Sequence, residues 1–465
     1  MRQLASIVLA AGEGSRLKSR LAKPLHKVGG KTMLEHVIAT LRQIGGQRVT
    51  VVVGVAREQV IAALPDGDVE IAIQEQQLGT GHAVDSARDL YRDFEGDIIC
   101  TYVDIPLITP ETLLHLVEQH REQGAAATML TTIVDDPAGY GRVIRDDAGM
   151  VAGVVEHRDA DEATLAIREI NTGIYCFRGP ELFEALRHVD NDNSQGEYYL
   201  PDVLKWLRAE GLPVAGCVAT DPDELMGIND RIQLAQADTI CRRRVRETLM
   251  RDGVTMIEPD SICIDAGVRI GRDTIIRPGA IIEGESTIGE DCEIGGNCCI
   301  RNSTIGDGCI IRHCSSITDS TIEDRAEIGP FANIRGNSTV GRGAAIGSCA
   351  EVNRSTIGPG SKSRHFSYLG DSVIGSDVNI GAGTITCNFD GFRKHQTSIG
   401  DGAFVGSDTI FIAPVEVGRG AVTGAGSVIT DDVAEGALGI ARARQTVIEH
   451  WAERRRQERG DSVHE

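Results

Sequence analysis

Two cations placed just behind a pair of glycines are the first residues in this sequence with chemistry to offer. The loop Ala10-Ala11-Gly12-Glu13-Gly14-Ser15-Arg16 follows the apolar run Ala5–Leu9, and Lys23 comes shortly after it. Glycines let a backbone approach a phosphate chain and turn its N–H groups toward it. Arginine can grip two phosphate oxygens at once, and lysine acts as a point charge on a transferring group. The loop is not a Walker A motif, because no Gly-Lys-Ser/Thr follows. It is not G-x-G-x-x-G either, because Arg16 and Leu17 stand where that pattern closes on glycine. Further along, Asp104 ends an apolar run, where a carboxylate can ligate a cation or open a turn. His365 stands near Lys362 and Arg364 in a stretch that breaks an otherwise regular pattern, where a histidine can be structural or catalytic.

The elements that must position the first loop alternate. Ala5–Leu9, Val49–Val53, Ile71–Ile73 and Ile98–Thr101 read as buried strands. Met33–Ile44, Glu58–Leu64, His82–Leu90 and a segment opened by Pro110 read as helices. This order predicts a parallel sheet covered on both faces, Rossmann-like, with ligands at the carboxyl ends of its strands. Asp230–Asp252 reads as a connecting helix. Its Arg242-Arg243-Arg244 run is expected on a solvated face.

The second half has a different period. Ile264, Ile270, Ile276, Ile282, Ile288, Ile294 and Ile300 recur every six residues. Four residues after each of the first six comes Val268, Thr274, Ala280, Ser286, Cys292 or Cys298. Neither a helix nor a lone strand has that period; a parallel β-helix of hexapeptide repeats does. Each large aliphatic should point inward, and each small residue should sit in a corner. The pattern continues with slips through Ile305, Ile311, Ile317, Ile322, Ile328, Ile334, Val340, Ile346 and Val352, resumes at Ile374 and Ile380, and ends with Ile399, Val405, Phe411 and Val417. It lapses at 361–370 and is interrupted by the insertion 387–397. Both interruptions are expected on a binding face.

Length and composition agree with two domains. The chain has 465 residues, 4% aromatics and 54 glycines, which suits an aliphatic solenoid with tight corners. A net charge of −21 argues against nucleic acid as a partner. No run is long enough to span a membrane, and the apolar start is too short and too weakly charged for a signal peptide. Twelve cysteines without a C-x-x-C pair, several of them in ladder slots, read as small core hydrophobes of a reducing cytoplasm.

Taken together, the motifs resemble one family. Leu9-Ala-Ala-Gly-x-Gly-Ser-Arg-Leu17 with Leu21-Ala-Lys23-Pro-Leu looks like the signature loop of sugar-1-phosphate nucleotidylyltransferases. Gln74-x-x-Gln77-Leu-Gly-Thr-Gly-His-Ala83, Asp104-Ile-Pro-Leu107, Asp136-Pro-x-Gly-Tyr-Gly-Arg142, Val155-Glu-His157, Glu169-Ile-Asn-Thr-Gly173 and Gln195-Gly-Glu-Tyr-Tyr199 follow in order. With the hexapeptide solenoid, the chain is similar to the bifunctional N-acetylglucosamine-1-phosphate uridylyltransferase/glucosamine-1-phosphate acetyltransferases.

That resemblance implies two sites. In the first, Leu9, Ala10, Ala11, Gly12, Arg16 and Lys23 would cradle UTP phosphates, with Arg16 and Lys23 catalytic. Gln74, Gly79 and Thr80 would meet the base, Gly141, Glu156 and Asn171 would hold the sugar, and Tyr102 would also bind the UDP-sugar. Asp104 and Asn229 would ligate Mg²⁺. In the second, His365 would be the general base that lets glucosamine-1-phosphate take an acetyl group from acetyl-CoA. Arg335, Asn353, Tyr368, Asn379 and Lys394 would hold that sugar phosphate. Ala382, Asn388, Phe389, Ser407, Ala425 and Arg442 would line the coenzyme A groove, with Asn388 also near the sugar. A cytoplasmic homotrimer with sites between neighbours is implied, making UDP-N-acetylglucosamine for cell-envelope precursors.

The implied organisation is a pyrophosphorylase domain over 1–229, a linker helix over 230–252, a left-handed β-helix over 253–440 and a charged tail over 441–465. Some positions depart from the family pattern. Leu-Pro-Lys is here Leu21-Ala22-Lys23, and Gly-Asp is Val103-Asp104. A sugar-contacting lysine is replaced by Asn353, Asn-Tyr is Asn388-Phe389, and Gly-Asn-Phe-Val-Glu is Gly347-Ser-Cys-Ala-Glu351. These departures leave a narrower reading: a single-activity nucleotidylyltransferase whose solenoid is a trimerisation or regulatory module.

Overall fold

The computed structural model describes residues 2–46, 48–64, 69–147, 149–193 and 195–459. The chain forms two compact units, Met1–Val245 and Arg246–Glu465.

The first unit is built on a twisted sheet with strand order Val214–Val218, Ala127–Ile133, Glu169–Arg178, Asp97–Tyr102, Leu4–Ala10, Arg48–Val53, Glu70–Ile73. Leu4–Ala10 is buried along its whole length and pairs in parallel with strands on both sides, as a continuous apolar run requires. The sheet is mixed, which corrects the parallel expectation. Glu169–Arg178 runs antiparallel to both its neighbours, and the hairpin Arg142–Arg145/Val151–Val155 pairs off its edge. The four strands read from the sequence do pair in parallel; Glu169–Arg178 was not among them. The reversed strand bulges between Asn171 and Tyr175, with Gly173 at φ 81° and Tyr102 packed where a side chain would stand.

Among the helices, Met33–Gln43 forms as read, held by a capping box between Thr32 and Glu35. The segment read as one helix over 82–90 divides into Thr80–Asp85 and a 3₁₀ turn, Arg88–Tyr91. Arg231–Arg251 is one helix, opened by Asp230, whose carboxylate accepts the N–H groups of Ile232 and Gln233. Its arginine run is ion-paired instead of merely solvated. Arg242 meets Asp238, Arg243 meets Asp223, and Arg244 meets Asp221 and the Leu107 carbonyl.

The second unit stacks short parallel strands into three sheets, one per side of a left-handed β-helix. Ile264 registers on Ile282 and Ile282 on Ile300, all fully buried, so the six-residue ladder is the core. The small residues fill the corners, where buried thiols serve as donors: Cys298 Sγ donates to the Arg312 carbonyl, 3.1 Å away. The stretch 361–370 does not leave the coil, contrary to the reading of a lapse. Ser363 registers on Ile346 and Leu369 on Val352. Ser363 occupies an inward slot and is satisfied there by Ser367, Oγ to Oγ 2.8 Å. The insertion does leave: the chain departs after Ile385–Cys387, returns at Thr397–Ile399, and Ile399 registers on Ile374. The tail contains an exposed helix, Trp451–Arg459, and residues 460–465 lie outside the described residues.

Candidate active sites

The first site opens at the carboxyl ends of three strands of the first unit. Leu9, Ala10, Ala11, Gly12, Lys23, Gln74, Gly79, Thr80, Tyr102 and Asp104 line one cavity of about 210 Å³. Ten sequence-assigned residues thus meet, joined by Pro24, Gln77, Ala83, Val103 and Glu197, which sequence reasoning did not assign. Pro24, Gln77, Ala83 and Glu197 lay inside quoted motifs, so the signal was present.

Local geometry explains the loop. Gly14 sits at φ 64°, and a Cβ there would fall 2.7 Å from the Cβ of Lys23. The missing side chain lets Lys23 pass beneath the loop. Lys23 begins a 3₁₀ turn with Pro24 behind it, so the displaced proline still stiffens this segment. The Lys23 ammonium donates to Asp104 Oδ2 at 2.5 Å and to Asn229 Oδ1 at 3.0 Å. Arg16 Nη2 donates to that same Asn229 oxygen at 2.9 Å. Asn229 is delivered by the Ile228 N–H, which donates to the Asp104 carbonyl. One carboxylate oxygen and one amide oxygen therefore converge on a single cationic point, a donor set that suits a small divalent ion completed by water and phosphate.

On the base side, Gln74 is buried and its amide nitrogen lies 3.0 Å from the Gly79 carbonyl and 3.1 Å from His82 Nδ1. Gly79 has φ 111° and lies against the Tyr198 backbone, so the 195–199 segment closes over it. The Thr80 hydroxyl accepts the Leu200 N–H.

Gly141, Glu156 and Asn171 meet beside the reversed strand. The Asn171 N–H donates to the Gly141 carbonyl, and Gly141 packs against the Glu156 carboxyl. Asn171 Oδ1 accepts from the Gly173 N–H and the Tyr175 hydroxyl, each at 2.9 Å. Burial, then Asp159 and Asp202, push the Glu156 pKa up. Val103, the departure beside Asp104, is a buried part of the cavity wall.

The second unit distributes its assigned residues over two corners. His365, Ala382, Ser407 and Ala425 each stand two residues beyond a strand of one sheet, in successive coils, so they form one column at one corner. Arg442 follows at the next coil. Asn379 lies one strand before that corner, registered on Lys362, and Arg335 and Tyr368 lie on the adjoining side. The loop bearing Asn388, Phe389 and Lys394 leaves from the far end of that side. The four-residue strand Ser367–Gly370 separates the corners by roughly 13 Å of extended chain.

Three of these residues have settled partners. Arg335 donates twice to Glu351 Oε1, at 2.9 and 2.7 Å. Asn353 is 2% exposed and its Oδ1 accepts from Arg354, so it offers no free surface to a sugar. Asn388 donates to Asp371. His365 and Phe389 are exposed. Within the loop, Asp390 accepts the N–H groups of Phe392 and Arg393 and pairs with His395, which holds its carboxyl near about 2.

Comparison with known proteins matches both halves. A family model described as a MobA-like NTP transferase domain matches residues 6–207. One described as the GMPPB C-terminal domain matches 261–342, and the bacterial transferase hexapeptide matches 396–431. "Bifunctional protein GlmU" of Geobacillus sp. (strain WCH70) is 49% identical over 97% of each chain. The proteins of that name from Brevibacillus brevis and from Exiguobacterium sp. (strain ATCC BAA-1283 / AT1b) are 47% and 49% identical, over 96% and 97% of this chain and 96% and 99% of theirs. The chain belongs to the bifunctional GlmU family. It is a two-activity transferase, with a nucleotidyltransferase unit ahead of a hexapeptide acyltransferase unit. No helix among the described residues is long and apolar enough to cross a membrane.

Proposed function

We propose that the first unit joins UTP to N-acetylglucosamine-1-phosphate, and that the second unit acetylates glucosamine-1-phosphate to supply that substrate. The convergence of Lys23, Arg16, Asp104 and Asn229 at the mouth of one cavity carries the first assignment. An oxygen of the sugar phosphate attacks the α-phosphorus of UTP as the bond to the β-phosphate oxygen breaks, and pyrophosphate leaves. Arg16 and Lys23 hold the phosphates in line and neutralise the spreading charge. Gln74, Gly79 and Thr80 seat the uracil; Gly141, Glu156 and Asn171 seat the sugar. Asp104 and Asn229 would hold Mg²⁺, whose chemistry there would be to neutralise phosphate charge.

In the second unit, the sugar amine attacks the thioester carbonyl and the thiolate of coenzyme A leaves. His365 takes the proton of the amine. The column formed by Ala382, Ser407 and Ala425 beside it gives a pantetheine arm a groove of small residues. The sugar-phosphate cations Arg335 and Lys394 complete this site. Their distribution over two corners supports a homotrimer, in which the far loop of one copy reaches the histidine corner of the next. The cysteine usage fits a cytoplasmic enzyme.

His365→Ala separates the two assignments. Release of free thiol from acetyl-CoA with glucosamine-1-phosphate should collapse, while pyrophosphate release from UTP and N-acetylglucosamine-1-phosphate stays intact. Retention of sugar-dependent thiol release would remove His365 from its role.

A further inference from the structure

At one edge of the solenoid, successive coils turn through a residue in the left-handed region: Asn302, Asp319, Asn337, Arg354 and Asp371, with φ between 47° and 58°. Four of the five are Asn or Asp, the side chains that tolerate this conformation. Arg354 is the exception, and each of its three guanidinium nitrogens donates a hydrogen bond. Nε and Nη2 donate to the two carboxylate oxygens of Asp371 at 2.7 and 2.8 Å, and Nη1 donates to Asn353 Oδ1 at 3.1 Å. The Tyr368 hydroxyl faces the same cluster, next to Gly370. Asp371 in turn accepts from the Asn388 amide, and its carbonyl accepts the Thr397 N–H. The two ends of the expelled loop are therefore tied to one residue, and Arg354 holds that residue. Arg354, Asn388 and then Lys394 pull the Asp371 carboxyl below its ordinary range. Gly370 completes the packing: a Cβ there would lie 2.5 Å from the Tyr368 hydroxyl and 2.7 Å from Asn388 Nδ2.

We propose that Arg354 and Asp371 form a positioning pair for acetyl transfer, setting Tyr368 and the 388–396 loop in the places from which they meet the sugar phosphate. Arg354 acts through the loop and not on the substrate directly: each of its three guanidinium nitrogens already donates to Asp371 or Asn353. A bidentate arginine–carboxylate pair fixes both partners in one plane, which a lysine cannot reproduce. The proposal rests on the assignment of the acetyl-transfer site to this part of the solenoid, which His365→Ala tests separately.

The experiment uses the full chain and three readouts: thiol release with varied glucosamine-1-phosphate, pyrophosphate release, and tryptic cleavage after Arg393 or Lys394 followed by mass spectrometry. Arg354→Ala should lower kcat/KM for acetyl transfer at least tenfold, chiefly through KM, and speed loop cleavage at least fivefold. Pyrophosphate release should stay within twofold of the parent. Arg354→Lys should recover only part of the loss. Asp371→Asn should resemble Arg354→Ala, and the double variant should be no worse than the weaker single one. Acetyl transfer within twofold of the parent, unchanged cleavage, multiplying losses in the double variant, or an equal fall of both activities would each overturn the proposal. If His365→Ala keeps acetyl transfer, the site assignment fails instead, whatever Arg354 does.

Discussion

Replacing Gly14 by alanine tests whether the first loop works by letting Lys23 through. The added Cβ would stand 2.7 Å from the Lys23 Cβ. Ordinary carbon contacts are about 3.5–4.0 Å, so one of the two backbones must give way by about 1 Å. Lys23 cannot rotate out of the way, because the clash is at its own Cβ. At φ 64° the alanine also pays left-handed strain of about 1–2 kcal/mol. A displacement of that size at a phosphate-positioning group costs on the order of 10²-fold in rate. Pyrophosphate release should therefore fall about a hundredfold, an estimate taken from that same effect of misplacement. Thiol release by the second unit should be unchanged in the same preparation. Gly12→Ala makes the contrast. Nothing lies within 4 Å of a Cβ there, so that variant should fold normally and raise KM for UTP by filling space meant for phosphate. A Gly14→Ala enzyme with kcat within threefold of the parent would refute the role given to the glycine.

Other expectations follow from single residues. Asp104→Asn should raise the Mg²⁺ concentration for half-maximal pyrophosphate release at least tenfold, since a unit charge at 4 Å is worth about 4 kcal/mol at an effective dielectric of about 20; an unchanged Mg²⁺ titration would exclude Asp104 as a ligand. Burial raises the Glu156 pKa above its ordinary 4.5, so within that window the folded chain keeps a proton that the unfolded chain has lost, and stability falls as pH rises through it. Glu156→Gln should flatten that slope in urea unfolding between pH 4 and 7; an unaltered slope would assign it elsewhere. Ile311 is fully buried between Ile294 and Ile328, and Ile311→Ala should cost about 2–5 kcal/mol in denaturant unfolding of the second unit while leaving pyrophosphate release intact. A loss below about 1 kcal/mol, well under the usual range, would mean that the ladder is not the core.

How much could be read in advance depended on whether a residue's neighbours lay along the chain or across the fold. The ladder was legible because stacking repeats one demand at one spacing. The phosphate loop was legible because its glycines and cations are close in sequence. Asn229 was placed by resemblance, and what brings it to Asp104 is a backbone bond from Ile228 across the fold that no local pattern encodes. The strand Glu169–Arg178 was quoted only as a motif and not read as a strand, so the reversal it brings to the sheet was not anticipated. The stretch at 361–370 was misread because Ser363 looks wrong for a core slot until its partner Ser367, four residues on, is seen to satisfy it. Asn353, too, was placed by resemblance. Assigned by position in a motif, it proves to be buried and occupied by Arg354.

The expelled loop has a consequence for how this enzyme can change. Cys387 leaves the stack and Thr397 rejoins it with Ile399 seated on Ile374, as if nothing intervened. The core below is therefore blind to the loop's length and content. Doubling such a loop adds only about 0.6 kcal/mol of closure entropy. Selection can rewrite this segment residue by residue, exchanging one recognised group for another, while the scaffold's inheritance passes through untouched.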